Sequence, residues 1–227
     1  MQIIQSKLLN KFSNLTHYFS SKDDGNLAFH VEDDADSVRK NHKRLAKKLN
    51  YDVQKLLHMK QIHSNRVKIV DARDSFETPL MVMVADCSPI LFYDDAKEVI
   101  AVAHAGREGA FTNIVQNVID SFREKFHTNV RDIYVSVGAN IKECCYEVGE
   151  EIFLEAKSLH LESFVHIREN SYFLDISGIL KKQLLASGVL EQNIEFIPAC
   201  SSCQTERYYS YRAEGKTGRF CGIVSIL

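Results

Sequence analysis

Tryptophan is absent from the 227-residue chain, and proline occurs only three times. The chain also lacks any apolar run close to the roughly 20 residues that a membrane-spanning helix needs. Its N-terminal segment, MQIIQSKLLNKFSNL, is amphipathic but has neither the long apolar stretch nor the small-residue cleavage site of a signal peptide. We therefore expect a cytoplasmic protein with no membrane partner.

Neither charge sign is in large excess, since the formal net charge is -2. Broad electrostatic attraction to nucleic acid is not expected from such a balance. Because cytoplasmic proteins rarely keep disulfides, the six cysteines are predicted to be free thiols or ligands. Proline- or serine-rich linkers are missing as well, which favours a single domain over residues 1–227.

The apolar pattern predicts a mixed α/β or α+β fold. Several strands follow one another without an intervening helix, so a mixed-sheet sandwich with flanking helices is favoured over a doubly wound parallel sheet. The runs at 80–86, 89–93 and 99–104 are rich in β-branched residues and are predicted to be buried on both faces. Further strands are predicted at 16–20, 56–59, 66–70, 132–137, 194–198 and 219–227, and helices at 34–49 (capped by Asp36 or Ser37), 113–126, 148–158 and 176–187.

Three candidate metal ligands lie beside predicted strands: His63 in KQIHSNRV, Cys87 in VADCSPILF and His104 in VIAVAHAGREGAF. Side chains at strand ends on a rigid sheet can converge on one site. Two imidazoles and one thiolate supply three zinc ligands and leave the fourth position open, as in a catalytic zinc site. Asp86 is placed to orient a ligand. Taken singly, such a His or Cys is more often a packing residue.

The segments 61–63 (QIH), 85–89 (ADCSP) and 104–106 (HAG) resemble the YfiH/laccase-domain family, also described as multicopper polyphenol oxidoreductases. The resemblance continues into GANIKECCYEVGEE and CQTERYYSYRAEGKTGRFCGIV, and reaches back to HYFSSKDDGNL, Asn41 and Arg44. It therefore spans nearly the whole chain in order.

This resemblance implies a YfiH-like sandwich related to cysteine-histidine hydrolases. It implies that His63, Cys87 and His104 bind zinc and form the catalytic site. The implied activity is phosphorolysis of adenosine, inosine, guanosine or methylthioadenosine, with adenosine deamination as a companion activity. Nucleoside and phosphate would be the partners, and the chain would be a monomer or homodimer.

One segment departs from the family pattern. His-Ala-Gly is usually followed by Trp-Arg-Gly, whereas this chain has Arg107-Glu108-Gly109. Glu108 has the wrong charge to steady an anion in place of the usual Arg. The substrate-binding residues predicted here are Arg44, Arg107, Tyr209 and Arg212, chosen from a wider set of candidates that also includes Lys22, Arg66, Arg219, Tyr208 and Tyr211.

Other functions use the same residues. Cys87 could be the nucleophile of a metal-free Cys/His hydrolase or deamidase, or the protein could be a non-catalytic zinc-binding factor in peptidoglycan editing, as some similar proteins are named. Copper is not expected, because the chain has no His-x-His pair and no evident axial Met near Cys87. A second metal site is not expected either: Cys200-x-x-Cys203 lacks a second pair, which the adjacent Cys144 and Cys145 are predicted not to supply.

Overall fold

Two four-stranded mixed sheets form the centre of the computed structural model, which describes residues 4–59, 61–70 and 78–227. The strands are β1 (Leu15–Phe19), β2 (Leu57–His58), β3 (Leu80–Val84), β4 (Ser88–Asp94), β5 (Val99–Ala105), β6 (Ile133–Val137), β7 (Glu147–Val148), β8 (Val165–Arg168), β9 (Ser171–Leu174), β10 (Ile194–Phe196) and β11 (Phe220–Ile226). The helices are α1 (Ala35–Leu49), α2 (Arg107–Phe111), α3 (Ile114–Phe126), α4 (Glu150–Ser158), α5 (Ile176–Ala186) and α6 (Tyr211–Glu214).

Both central sheets mix parallel and antiparallel pairs. The first has the order β1-β11-β3-β2 and the second β10-β6-β4-β5. The pairs β2–β3 and β6–β10 are parallel, whereas β4 is antiparallel to both of its neighbours. A small third sheet has the order β7-β9-β8. The predicted mixed-sheet fold is confirmed, while the extent of the single domain, 1–227, stays a prediction.

Alternation along β3 explains how the first sheet is covered on both faces. Met81 and Met83 pack toward Leu45 of α1, whereas Val82 and Val84 pack toward the second sheet. Successive side chains of a strand point to opposite faces, so a run of apolar residues serves two cores at once. The helix α1 is therefore one outer layer of the sandwich.

The second sheet divides its side chains in the same way. In β4, Leu91 and Tyr93 face the first sheet, and Ile90 and Phe92 face α3 and α5. Every residue of β4 is buried, as predicted. The prediction of burial on both faces fails for β5, where several residues are half-buried, because β5 is the edge strand.

Helix boundaries follow side-chain caps at most of the predicted positions. Asp34, rather than Asp36 or Ser37, caps α1 by accepting a hydrogen bond from the Ser37 amide at 2.8 Å. Gly188 follows α5 with φ +94°, a conformation that glycine adopts without strain. No helix of the described residues is long and apolar enough to cross a bilayer.

Some elements differ from the sequence predictions. Residues 66–70 form no strand, because this segment is exposed and pairs with neither sheet. The predicted helix at 148–158 starts two residues later, since Val148 pairs with β9. All six cysteines are free, which agrees with the prediction of thiols or ligands.

Candidate metal site and active-site pocket

The three predicted ligands meet in space. The ligand atoms of His63, Cys87 and His104 all lie within 4.8 Å of one another. The centroids of the two imidazole rings are 4.9 Å apart, and the ring planes are inclined at 77°. None of these side chains makes a hydrogen bond to another described residue that would occupy its ligand atom. The predicted convergence therefore exists, while the roles of these residues stay predictions.

The loop that carries His63 is fastened to β3 by Gln61. The Gln61 amide donates to the Met83 carbonyl at 2.7 Å and accepts from the Met83 amide at 3.0 Å. Its side chain thus imitates a strand partner at the edge of β3. His63 has φ +52°, an uncommon value outside glycine, so its ring orientation depends on this anchored turn. The Gln-x-His spacing therefore has a physical reason: the Gln fastens to β3 the turn that presents the His.

Cys87 lies in the turn between β3 and β4, which Asp86 holds. Asp86 has φ +83°, and its carboxylate accepts from the Ser201 hydroxyl and from the Arg212 amide, both at 2.7 Å. Its own carbonyl accepts from the Ile141 amide at 2.9 Å. Strain of this kind persists only where surrounding contacts fix it. Asp86 therefore positions the thiol by fixing its turn.

His104 is the next-to-last residue of β5 and pairs with Pro89 of β4. Gly106 is the first residue after the strand. A Cβ atom at Gly106 would lie 2.8 Å from the Cys87 sulfur and 3.8 Å from the His63 ring. Glycine is required here because the chain passes directly beside the thiol. The His-Ala-Gly segment thus contributes one predicted ligand and the space for another.

Burial sets the protonation of two ligands in the metal-free chain. It raises the pKa of the Cys87 thiol to about 12, to which the charge of Asp86 adds. It also lowers the pKa of His104 to about 3, and the neighbouring His63 and Arg219 add to this effect. At neutral pH the site therefore holds a neutral imidazole and a thiol. A divalent cation would favour the thiolate, the form that coordinates.

A cavity of about 530 Å³ opens on these ligands. Pockets that bind small molecules span about 300–1,000 Å³. Around the ligands its walls combine apolar, aromatic and cationic residues: His30, Gln61, Met83, Val84, Ala85, Asp86, Ala105, Gly106, Arg107, Ile141, Tyr146, Ile176, Tyr211, Arg212 and Arg219. Met83 is among them, but it packs in the α1 core, so the prediction that no axial Met serves Cys87 stays a prediction.

Three arginines line this cavity in different states. Arg107 forms an ion pair with Glu155 at 2.5 Å, and the Arg212 guanidinium donates to the carbonyls of two residues of the 145–147 segment. Arg219 donates to the carbonyls at 217 and 218, and no described carboxylate forms an ion pair with it. Burial lowers the pKa of Arg219, yet it stays charged. Arg212 likewise has no ion pair with a described carboxylate, but Arg212 is exposed, whereas Arg219, a candidate that the sequence did not favour, is half-buried.

The profile of a known family matches residues 15–227, and its description is multi-copper polyphenol oxidoreductase laccase. The chain belongs to this laccase-domain family. A purine nucleoside phosphorylase of Corynebacterium glutamicum is 36% identical over 88% of this chain and 85% of its own. The purine nucleoside phosphorylase YlmD of Bacillus subtilis is 28% identical over 88% of this chain and 81% of its own.

Solved structures of similar proteins share the laccase-domain fold. The YfiH protein of Bacillus licheniformis superposes with a TM-score of 0.90 over 99% of this chain and 96% of its own, at 24% identity. YlmD from Geobacillus stearothermophilus gives 0.85 over 97% of this chain and 94% of its own, also at 24%. The predicted resemblance and the YfiH-like fold are confirmed.

Two of the predicted substrate-binding residues line the pocket and two do not. Arg107 and Arg212 are in its wall. Arg44 instead donates to the Asp24 carbonyl at 2.6 Å, and Tyr209 lines a separate cavity of about 180 Å³. Tyr211 and Tyr146 are the tyrosines in the wall; Tyr146 follows the cysteine pair, and the sequence analysis did not consider it.

The other candidates are held elsewhere among the described residues. Lys22 pairs with Glu214 at 2.5 Å, Arg66 is exposed, and Tyr208 is buried against Phe220.

The departure from the family pattern in the laccase-domain motif lies at the start of α2. Arg107 takes part in the pocket wall, whereas Glu108 is not among the described lining residues. Glu108 therefore does not face the site, so its negative charge does not oppose binding of an anion there. Arg107 contributes only a partly compensated charge, because Glu155 pairs with it.

A second group of ligand atoms overturns one sequence prediction. Four cysteine sulfurs, which we call the thiol cluster, lie within 4.8 Å of one another, and they belong to Cys144, Cys145, Cys200 and Cys203. The adjacent pair does supply what the CxxC pair lacks, because a turn directs both of its side chains to one side. In a third group, Glu143 contacts His166 and forms an ion pair with Arg168, and Asp175 caps α5.

Proposed function

We propose that the protein is a zinc-dependent purine nucleoside phosphorylase. The observation that carries the proposal is the convergence of His63, Cys87 and His104 in a cation-lined pocket of suitable volume. The relatives named purine nucleoside phosphorylase support the reaction class. Adenosine, inosine, guanosine and methylthioadenosine are the proposed nucleosides, inorganic phosphate is the second substrate, and deamination of adenosine is a proposed companion activity.

The donor set fits zinc. Zinc takes imidazole nitrogen and thiolate sulfur at about 2.0–2.3 Å, and three such ligands leave a position for substrate. Copper, which the family description names, is also bound by such donors. We propose zinc because the set has no weak axial sulfur ligand among the described residues: Met83 packs in the α1 core. When bound, the ion supplies a Lewis acid that polarises a substrate oxygen.

Phosphate binding is assigned to Arg219, with Arg107 as a weaker partner. In phosphorolysis a phosphate oxygen bonds to the ribose C1′ while the C1′–N bond breaks, and the purine leaves with a proton. A guanidinium that forms no ion pair with a carboxylate can form two parallel hydrogen bonds to a phosphate. Arg219 lies close enough to Cys87 and His104 for its charge to affect both. A phosphate held there is next to the ligands.

Nucleoside binding is assigned to the aromatic and apolar part of the wall. The Tyr211 side chain is 62% exposed and lines the cavity, so its ring is free to stack on a purine. Tyr146 and Ile176 supply apolar surface in the same wall. Arg212 holds this wall together through the carbonyls at 145 and 147. We therefore give Arg212 a positioning role rather than direct contact with phosphate.

The pKa shifts of Cys87 and His104 disfavour a metal-free cysteine hydrolase that uses this pair. A nucleophilic cysteine needs a lowered pKa or an adjacent base that takes its proton. Here burial raises the pKa of Cys87 to about 12 and lowers that of His104 to about 3, so proton transfer from Cys87 to His104 is strongly unfavourable, and a hydrolase would have to use His63 as its base. A non-catalytic zinc factor would keep the ligands but would need no cation-lined pocket.

A phosphate-dependent assay tests the proposal. Zinc-loaded protein is incubated with each nucleoside, with and without phosphate, and chromatography measures free base, ribose 1-phosphate and inosine. We expect free base and ribose 1-phosphate only with phosphate, and none from the Cys87→Ala variant. Protein with stoichiometric zinc that releases no base would contradict the proposal. Activity retained after chelation would favour the hydrolase, and activity that returns with copper but not zinc would reassign the metal.

The cellular setting remains part of the proposal. We propose a cytoplasmic enzyme that acts on small molecules, as a monomer or homodimer, without nucleic-acid or membrane partners. Size-exclusion chromatography with light scattering measures the oligomeric state. Cell fractionation tests the location.

A further inference from the structure

We propose that the thiol cluster binds a structural zinc ion, in a site separate from the one at His63. Its sulfurs come from two turns that the fold brings together from distant parts of the sequence. All four are within 4.8 Å of one another, a spacing for a single ion. The proposal does not depend on the phosphorylase activity.

The distances between the sulfurs fit tetrahedral coordination. The Cys203 sulfur lies 3.4 Å from that of Cys144 and 3.2 Å from that of Cys145, and the adjacent pair is 3.7 Å apart. Four thiolates at the usual Zn–S distance of about 2.3 Å would be about 3.8 Å apart. A disulfide requires about 2.05 Å. The cluster therefore needs only small side-chain shifts to enclose zinc.

Each turn is stabilised by its own backbone. The Lys142 carbonyl accepts from the amides of Cys145 and Tyr146 at 3.0 and 2.9 Å, which bends the first turn. The Cys200 carbonyl accepts from the Gln204 amide at 3.1 Å, which bends the second. In an extended strand the side chains of Cys144 and Cys145 would point to opposite sides. The turn makes a two-sulfur ligand of this adjacent pair.

Hydrogen bonds between the turns hold the sulfurs in place before any ion binds. Asn140 and Cys200 form a parallel bridge, and the Ser201 amide donates to the Asn140 carbonyl at 3.1 Å. The Lys142 amide donates to the Cys200 sulfur at 3.4 Å. Hydrogen bonds to ligand atoms orient them in metal sites. The cluster is therefore preorganised rather than a chance approach of exposed thiols.

Two basic side chains, Lys142 and Arg212, lie beside the cluster. Zinc with four thiolates carries two excess negative charges. The Lys142 ammonium interacts electrostatically with Cys200 and Cys144, and the Arg212 guanidinium donates to the Cys145 carbonyl at 3.3 Å. The soft sulfur donors select zinc over magnesium or calcium, and a closed set of four thiolates is typical of a structural rather than a catalytic ion.

The site would brace one wall of the pocket. The first turn lies between Ile141 and Tyr146, which both line the cavity. The second turn carries Ser201, whose hydroxyl holds Asp86 beside Cys87. An ion that joins the two turns thus stabilises the pocket without contacting substrate. Structural zinc contributes directly to folding stability.

Metal analysis of four proteins tests the proposal. Wild type, Cys144→Ser/Cys203→Ser, His104→Ala and the turn control Ser202→Ala are purified under reducing conditions. Mass spectrometry of the elements counts zinc per chain. We expect the double variant to lose one zinc that both His104→Ala and Ser202→Ala retain. We also expect its thermal midpoint to fall by more than about 5 °C, against less than about 2 °C for Ser202→Ala.

Cobalt substitution is the second readout, and the wild-type protein is its reference. Thiolate-to-cobalt absorption in the near ultraviolet should come mostly from the four thiolates of the cluster, with Cys87 adding one. The double variant should lose most of this band, and Cys87→Ser about a fifth of it. Unchanged zinc content in the double variant would overturn the proposal. A Cys144–Cys203 or Cys145–Cys203 disulfide in wild-type protein freshly purified under reducing conditions would also overturn it.

Discussion

Gly106→Ala is the substitution that most directly probes the packing around the Cys87 thiol. Gly106 has φ -86° and ψ -166°, values that alanine adopts without strain, so the backbone does not oppose the change. The added Cβ would lie 2.8 Å from the Cys87 sulfur, whereas ordinary contacts begin near 3.4 Å. The substitution therefore acts on the thiol through sterics alone.

The expected size of the effect follows from this overlap. The sulfur or the new methyl group must move by about 0.6 Å, which exceeds the roughly 0.2 Å by which ligand distances vary in metal sites. Overpacking of this kind costs about 1–3 kcal/mol of unfolding free energy. Disturbance of the groups around a metal typically lowers its affinity 10- to 100-fold. We expect a loss of metal affinity in this range, with the fold retained.

The assay is a competitive zinc titration against a fluorescent chelator, together with circular dichroism. Gly109→Ala is the comparison variant, in the short helix α2 that follows Gly106. Its Cβ would lie 3.2 Å from the His104 carbonyl and would not approach the thiol, so zinc affinity should change by less than about threefold. If Gly106→Ala binds zinc as tightly as wild type, the thiol is not a ligand in the arrangement described here.

Other predictions concern the ligands, the phosphate site and pH. Cys87→Ala and His104→Ala should abolish phosphorolysis while far-ultraviolet circular dichroism stays unchanged; global unfolding would instead indicate a structural metal there. Arg219→Gln should raise the KM for phosphate about 10- to 100-fold, the worth of a hydrogen bond to a charged group, and the KM for nucleoside less than threefold; equal increases would contradict a phosphate role. Stability of the metal-free protein should fall as the pH drops below about 6.5. Burial lowers the pKa of His104 and of His17, so the unfolded chain binds protons that the folded chain does not, and each histidine contributes up to about 1.4 kcal/mol per pH unit. Urea midpoints that are equal at pH 7.5 and pH 5.5 would contradict this coupling.

Much of the sandwich could be predicted from the sequence because its strands are long and apolar. Strands such as β4 are buried on both faces, and their composition carries the signal. The hairpin of β8 and β9 was not predicted, because its residues are mostly exposed or half-buried and lack a clear alternation. Residues 66–70 have the opposite problem: their composition suits a strand, yet none of the described strands pairs with them.

The convergence of the three predicted ligands could be predicted because each stands in a recognisable segment, and Cys87 and His104 lie at strand ends. The sequence does not decide among the candidate substrate residues, because what distinguishes them is pairing in three dimensions. Glu155 forms an ion pair with Arg107, whereas no described carboxylate forms one with Arg219, and the sequence shows neither fact. Adjacent cysteines looked unsuitable for one ion because an extended chain would separate their side chains. Only the turn that follows Lys142 brings them together.

Anomalous scattering at the zinc absorption edge, measured on crystals of the protein as purified, tests the metal site most directly. We predict an anomalous peak within bonding distance of the Cys87 sulfur and of one nitrogen from each of His63 and His104. A map without a peak at those three atoms, in protein that elemental analysis shows to contain zinc, would contradict the assignment.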